Sequence, residues 1–263
     1  MSSRAEQLAS FGRLLDIIDT LRVKCPWDAK QTNESLRPNT IEEVFELSQA
    51  LLQNDIEDIK KELGDVLLHI VFYAKIGAEK AQFDIRDVCD SISEKLIFRH
   101  PHVFGTTAVA SAEEVEQNWE QIKLKEKGAK KSVMSGVPAS LPSMIKACRI
   151  QEKAANIGFD WERKEQVWNK VQEELAEVQQ ELCSPRSEKS TENEIGDLLF
   201  SIINAARLYG INPDTALERT NTKFLHRFGY MEKKATENGK SIKDYTLPEL
   251  DKWWEEAKSS APK

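Results

Sequence analysis

The strongest constraint on this chain is that its polar landmarks occur twice, in one order. CPWD at 25–28 parallels GFDW at 158–161, and EEVFE at 42–46 parallels EELAE at 173–177. ELGD at 62–65 then matches EIGD at 194–197, and KLIFR at 95–99 matches KFLHR at 223–227. Last, NWEQIK at 118–123 matches WWEEAK at 253–258. A lone ExxE is common on any solvated helix. Five landmarks in the same order point to a duplicated module, so each half must fold on one shared plan.

That plan is helical. Apolar spacing predicts helices at about 6–24, 40–53, 55–79, 84–99 and 111–126, and again at about 142–156, 163–182, 188–209, 213–237 and 247–258. Caps mark several starts: Asn39-Thr40 before IEEVFEL, Asn54-Asp55 before IEDI, Asn212-Pro213 before DTALE, and Thr246 before LPEL. No stretch alternates as a strand does, so the fold class is all-α. Between the halves, KLKEKGAKKSVMSGVPASLP is rich in Lys, Gly, Ser and Pro and reads as a solvated linker. The expected organisation is a first module over 1–125, a linker over 126–141 and a second module over 142–263.

Composition removes several function classes. A net charge of -7 argues against a broad face for nucleic acid polymers. Cys25, Cys89, Cys148 and Cys183 are scattered and unpaired in spacing, as expected of reduced thiols in the cytoplasm. The first residues lack the apolar core of a signal peptide. The longest apolar run, Val66 to Ala74, is interrupted by His69 and too short to span a bilayer. The expectation is a cytoplasmic protein with no membrane partner.

The acids carry the chemistry. Residues three apart share a helix face, so Glu174 and Glu177 point one way, as do Glu194 and Asp197 on the next helix. Short connections should pack these helices together and gather four carboxylates. Glu43, Glu46, Glu62 and Asp65 repeat the arrangement in the first half. Clustered carboxylates repel unless a hard cation joins them, and all-oxygen ligands favour Mg²⁺ or Mn²⁺. Surface ion pairs would explain a single ExxE; they explain the duplicated constellation poorly. A di-iron site would need Glu-x-x-His, and none of His69, His100, His102 and His226 lies three residues after a Glu.

Lys223 and Arg227 share one helix face and suit the free oxygens of an oligophosphate. Trp254 suits either stacking on a base or a place in the core. The halves differ beyond the acids. Seven residues after the last acid the second half has Asn204 and the first has Phe72; four residues after it, Ser201 stands against His69. Asn offers a donor and an acceptor to a sugar or base, whereas Phe offers neither. The second copy is therefore expected to be the main active site.

EExxE followed by ExxD, together with CPWD, RHPHVF and GFDW, resembles the MazG family of nucleoside triphosphate pyrophosphohydrolases, over nearly the whole chain. The resemblance implies helix bundles of the all-α NTP pyrophosphatase type, paired in a homodimer. It also implies Mg²⁺-dependent hydrolysis of ribo and deoxy, standard and aberrant nucleoside triphosphates to monophosphate and pyrophosphate. Carried over by position, the metal ligands are Glu174, Glu177, Glu194 and Asp197, matched in the first copy by Glu43, Glu46, Glu62 and Asp65, a copy that need not be catalytic. Lys170, Lys223, Arg227 and Trp254 fall at nucleotide-contacting positions, and Glu173 is the candidate to orient or deprotonate water. A lysine found in some relatives ahead of ExxD is displaced: Ser190 stands there, with Lys189 beside it. Two rival readings are a non-catalytic nucleotide or partner binder with a structural metal, and an enzyme for one narrow substrate such as a damaged nucleotide or alarmone.

Overall fold

The computed structural model describes residues 2–107, 132–183 and 188–260, together with residues 109, 111, 115 and 122. Among the described residues there are ten α-helices and no strand. The chain divides into two compact units, Met1–Val115 and Glu116–Lys263. Apart from residues 111, 115 and 122, the expected helix at 111–126, its landmark NWEQIK and the first part of the linker lie outside the described residues.

The first unit holds α1 (Arg4–Lys24), α2 (Asn33–Gln53), α3 (Ile56–Glu79), α4 (Ile85–Arg99) and the short α5 (Pro101–Phe104). Helix α1 starts in a reciprocal cap between Ser3 and Glu6. Its apolar face packs on α3, and the core joins Ile18, Leu36, Val71, Phe72 and Ile76. Helices α2 and α3 lie against one another across a two-residue corner. There Asn54 takes a left-handed conformation (φ 55°, ψ 35°) and Asp55 caps α3 through the N–H groups of Glu57 and Asp58. Asn tolerates that conformation better than most residues do, and the two residues end one helix and start the next.

Helix α2 begins earlier than the expected start at Asn39-Thr40. It starts at Asn33, capped by Thr32 with Ser35, and runs through Pro38. Proline inside a helix removes one hydrogen bond and costs roughly 3 kcal/mol. Here the added turn buries Leu36 in the core, and Thr40 closes its hydroxyl onto the Leu36 carbonyl at 3.0 Å. Thr40 is thus an interior residue of the helix, and the cap role passes to Thr32.

The second unit holds α6 (Ser143–Ala155), α7 (Val167–Cys183), α8 (Glu188–Leu208), α9 (Pro213–Glu237) and α10 (Leu247–Ser260). Asn212 caps α9 with Pro213 in its first turn, as expected. Where the pattern predicts a helix from 163, a 3-10 turn over Lys164–Gln166 leads into α7. Helices α7 and α8 pack together, and Val167 and Val178 on α7 and Ile203 and Ala205 on α8 are buried. After α6, Gly158 adopts φ +88°, a conformation that favours glycine. The turn is closed by Phe159 N–H on the Ala154 carbonyl at 3.0 Å, and it carries the rest of the GFDW landmark back toward α6. Residues 133–136 form a 3-10 turn against α6, so this end of the expected linker packs within the second unit.

Candidate active site

Helices α7 and α8 bring Glu174, Glu194 and Asp197 together, with one carboxylate oxygen from each lying within 4.8 Å of the others. Helices α2 and α3 do the same for Glu43, Glu62 and Asp65, at the matching positions of the repeat and within the same 4.8 Å. Glu177 and Glu46, the second acids of each ExxE, fall outside these groups of three and are exposed. Glu46 is still close enough to act on its neighbour. Burial first, then the charges of Asp65, Glu46, Glu62 and Glu42, push the Glu43 carboxyl above its ordinary value.

The chemistry of both donor sets fits a hard divalent cation: three carboxylates, one oxygen of each within 4.8 Å of the others, on a packed pair of helices. The first unit adds a sharper sign. Glu62 is buried at 4% exposure; one oxygen accepts from Lys61 at 2.6 Å, and the other, Oε2, has no hydrogen-bond partner. A buried acceptor left unpaired costs about 1–3 kcal/mol, more when charged.

The surroundings of the two groups differ. In the second unit, Lys170 reaches Glu173 at 2.8 Å and Glu174 at 2.7 Å. Hydrogen bonds to Glu173 and then Glu174 raise its ammonium well above the ordinary lysine value. The repeat places Asn39 at the corresponding position of the first unit. A cavity of about 690 Å³ is lined by Lys170, Glu174 and Asp197, and also by Ser201, Asn204, Gln151, Phe159, Trp161 and Phe200. That volume is in the range of small-molecule sites. Met134, from the 3-10 turn before α6, also lines it.

In the first unit the matching side chains, His69 and Phe72, are buried. Phe72 is buried at 4% exposure in the Ile18 cluster, with the Arg22 guanidinium 5.4 Å from its ring centroid. His69 is held by Thr40, Nδ1 to Oγ1 at 3.0 Å, and Thr40 meets the Tyr73 hydroxyl at 2.6 Å. Burial depresses the His69 pKa below its ordinary value. A cavity of about 220 Å³ in this unit is lined by Leu15, Ile18 and Val71 among others, and by none of Glu43, Glu62 and Asp65.

Other residues expected at the site lie elsewhere. Arg227 stacks on Trp254 at 5.3 Å, and Trp254 meets Phe224 edge-on at 5.1 Å. Lys223 on the same helix is exposed. None of Lys223, Arg227 and Trp254 lines the cavity. Lys189 is exposed and Ser190 half-buried on α8.

Several cavity residues carry no role in the sequence reading. Arg207 binds Asp160 through two nitrogens, at 2.6 and 3.0 Å, and also holds the Asn204 side-chain oxygen at 2.8 and 3.0 Å. Burial alone would raise the Asp160 carboxyl, but the Arg207 hydrogen bond and the Trp161 N–H outweigh it and hold it below the ordinary value. Gln151 is buried on α6 and gives its amide nitrogen to the Phe200 carbonyl at 2.9 Å. The GFDW landmark signalled Asp160 and Trp161; nothing in the sequence pattern marks Gln151 or Arg207. The glycines of ELGD and EIGD are open: a methyl group at Gly64 or Gly196 would meet nothing within 4 Å.

Comparison with known proteins bears on this geometry. The family profile described as the MazG nucleotide pyrophosphohydrolase domain matches residues 31–104, the stretch that carries Glu43, Glu46, Glu62 and Asp65. A Thermotoga maritima protein named nucleoside triphosphate pyrophosphohydrolase/pyrophosphatase MazG is 43% identical over 251 residues, covering 94% of this chain and 95% of its own. The Escherichia coli K12 nucleoside triphosphate pyrophosphohydrolase is 39% identical over 252 residues, covering 94% and 96%. A crystal structure of a mazG-related protein from Thermotoga maritima aligns with TM-score 0.39 and 31% identity, over 43% of this chain and 99% of that one.

Proposed function

The chain belongs to the MazG nucleotide pyrophosphohydrolase family, and from that premise we propose that it hydrolyses nucleoside triphosphates, ribo and deoxy, standard and aberrant, to monophosphate and pyrophosphate. The observation that carries this reading is the cavity in which Lys170, Glu174 and Asp197 share one wall system with Asn204 and three aromatic rings. It brings cation-ready acids together with side chains suited to a nucleoside.

Glu174, Glu194 and Asp197 would hold the metal, with Glu177 one turn from Glu174 completing the set. Bound there, Mg²⁺ or Mn²⁺ would neutralise the triphosphate, acidify a water and stabilise the departing pyrophosphate. Glu173 is exposed next to Glu174 and is free of the three-acid group, which suits it to take the proton of the attacking water. Lys170, already at the acids, supplies a cation to the phosphates. Asn204 turns its amide nitrogen to the sugar or base, since Arg207 occupies its oxygen. Lys223, Arg227 and Trp254 form a second, basic and aromatic contact surface for the nucleotide on α9 and α10.

The duplicated acid groups on matching helix pairs support a tandem repeat, with the first copy closed to substrate. A homodimer is supported by the apolar surface each unit leaves open, including Leu67 and Ile70 on α3 and Leu199, Phe200 and Ile202 on α8, beside open Gly64 and Gly196. Scattered free cysteines suit the cytoplasm, and among the described residues no helix is long and apolar enough to cross a membrane.

The test is turnover of mixed triphosphates with Mg²⁺, products separated. Pyrophosphate and monophosphate are expected, with activity abolished by excess chelator. Release of orthophosphate would place attack at the γ-phosphorus and overturn the reading; binding without turnover would favour the non-catalytic alternative.

A further inference from the structure

Three aromatic residues line the large cavity, and Phe159 is the most open of them, 81% exposed against 38% for Trp161 and 40% for Phe200. A phenylalanine side chain is stabilised by leaving water, and this one stays almost wholly outside the protein's own packing. Its backbone is nevertheless held on both sides. Gly158 makes the turn at φ +88°, and the Phe159 N–H donates to the Ala154 carbonyl at 3.0 Å. The next residue, Asp160, accepts from Arg207 of α8 at 2.6 and 3.0 Å and from the Trp161 N–H at 2.9 Å. The side chains of that ion pair are only 26% and 17% exposed. An enclosed brace therefore carries an uncovered ring.

The surroundings give the missing cover a chemical class. Rings elsewhere in this unit are already engaged: Trp168 meets Tyr209, and Trp254 has Arg227 over its face and Phe224 at its edge. Among the described residues, no ring or cation lies against Phe159. The cavity it lines is also lined by Lys170, Glu174 and Asp197, and its volume of about 690 Å³ suits a small molecule. A ligand that presents phosphates to the lysine and a metal to the acids has its base in the same cavity. Every base has a flat π face, so stacking accepts them all alike. A turn fixed before binding lets that contact form without first ordering the chain.

We propose that Phe159 is a substrate-binding residue on whose ring the base of the nucleotide stacks, with the Asp160–Arg207 pair holding its turn in place. The proposal rests on the pyrophosphohydrolase reading above and adds the feature of the substrate that the site grips: a flat base, whatever its hydrogen-bonding edge.

The experiment compares ATP and CTP with ribose 5′-triphosphate, which has no base, in the full chain with Mg²⁺. Ribose 5′-triphosphate is read as a substrate or as a competitive inhibitor. Phe159→Ala is expected to raise KM for ATP and CTP by about tenfold or more, the scale of losing one stacked base, with kcat within about twofold. The constant for ribose 5′-triphosphate should stay within about twofold of wild type, because uniform binding lost with the base is not lost without it. Phe159→Trp, which keeps a flat ring, should hold ATP within about threefold of wild type. An unchanged KM for ATP in Phe159→Ala would overturn the proposal. So would an equal loss for ATP and ribose 5′-triphosphate, the mark of a merely structural residue. A lower molecular mass of Phe159→Ala by light scattering would also overturn it, by placing the ring against a second copy of the chain. If wild type turns over no triphosphate, the pyrophosphohydrolase reading fails. The dissociation constants of ATP and ribose 5′-triphosphate for wild type and Phe159→Ala then decide the role of the ring, and a variant that weakens both or neither counts against it.

Discussion

The two units hold the same three acids at the same repeat positions, yet they spend the next two helical turns differently. Past Asp197, Ser201 and Asn204 face a cavity of about 690 Å³. Past Asp65, His69 and Phe72 are buried, one tied to Thr40 and the other packed with Ile18 under Arg22. A metal-ready group is therefore separable from a substrate site: the acids come with the helix pair, and access is decided by side chains one and two turns along it.

The largest effect should come from removing one matching acid at a time. Glu194→Ala is expected to lower kcat for pyrophosphate release by about three orders of magnitude, the scale of losing several kcal/mol of charge stabilisation. Glu62→Ala should leave kcat within about twofold, because Glu43, Glu62 and Asp65 line neither of the two cavities described among these residues. Equal losses, or a larger loss from Glu62→Ala, would break the division between an open and a closed copy.

Next in size is the position where the copies diverge most. Phe72→Ala should destabilise the first unit by about 3–5 kcal/mol, as for other buried aromatic truncations. Asn204→Ala should cost less, about 1–3 kcal/mol for the two hydrogen bonds that Arg207 gives it, and show chiefly as a raised KM. Hydrogen exchange in α1 and α3 for the first, and kinetics for the second, separate a packing role from a binding one. Comparable stability losses at both positions would mean that Asn204 is a core residue too.

The smallest effect concerns His69, whose counterpart Ser201 does not titrate. Burial depresses the folded His69 pKa below 6.5, so its contribution is fully present above 6.5 and is lost as pH falls through the folded value. Amide protection in α3 should weaken between pH 7.5 and 5.5 while α8 changes less, and His69→Gln should remove the difference. Unchanged protection in wild type would show that His69 stays neutral, or charges at no cost.

The helical plan was legible because periodicity and caps agree over long segments: Asp55 and Asn212 cap the helices that the pattern assigned to them. The start of α2 was not. Pro38 reads as a stop, and only the core around Leu36 makes a helix through it worthwhile. At the site, spacing identified the acids but not which of each ExxE pair turns to the neighbouring helix. Residues three apart share a face only loosely, so Glu43 and Glu174 come within 4.8 Å of the acids of the neighbouring helix while Glu46 and Glu177 stand exposed one turn on. Gln151 was invisible for a different reason. A single glutamine on an amphipathic helix has no pattern of its own, and its meaning comes from a carbonyl 49 residues away.

The Asn54-Asp55 corner has a consequence for how this chain can change. Each residue advances a helix by about 100°, so one residue gained or lost between Asp55 and Glu62 would turn Glu62 and Asp65 away from Glu43 together. No rotamer adjustment could bring them back. Exchanges of one side chain for another leave that phase untouched. Drift in letters is therefore tolerable across this segment and drift in length is not, which makes the spacing from the corner to the acids more rigid than the residues that fill it.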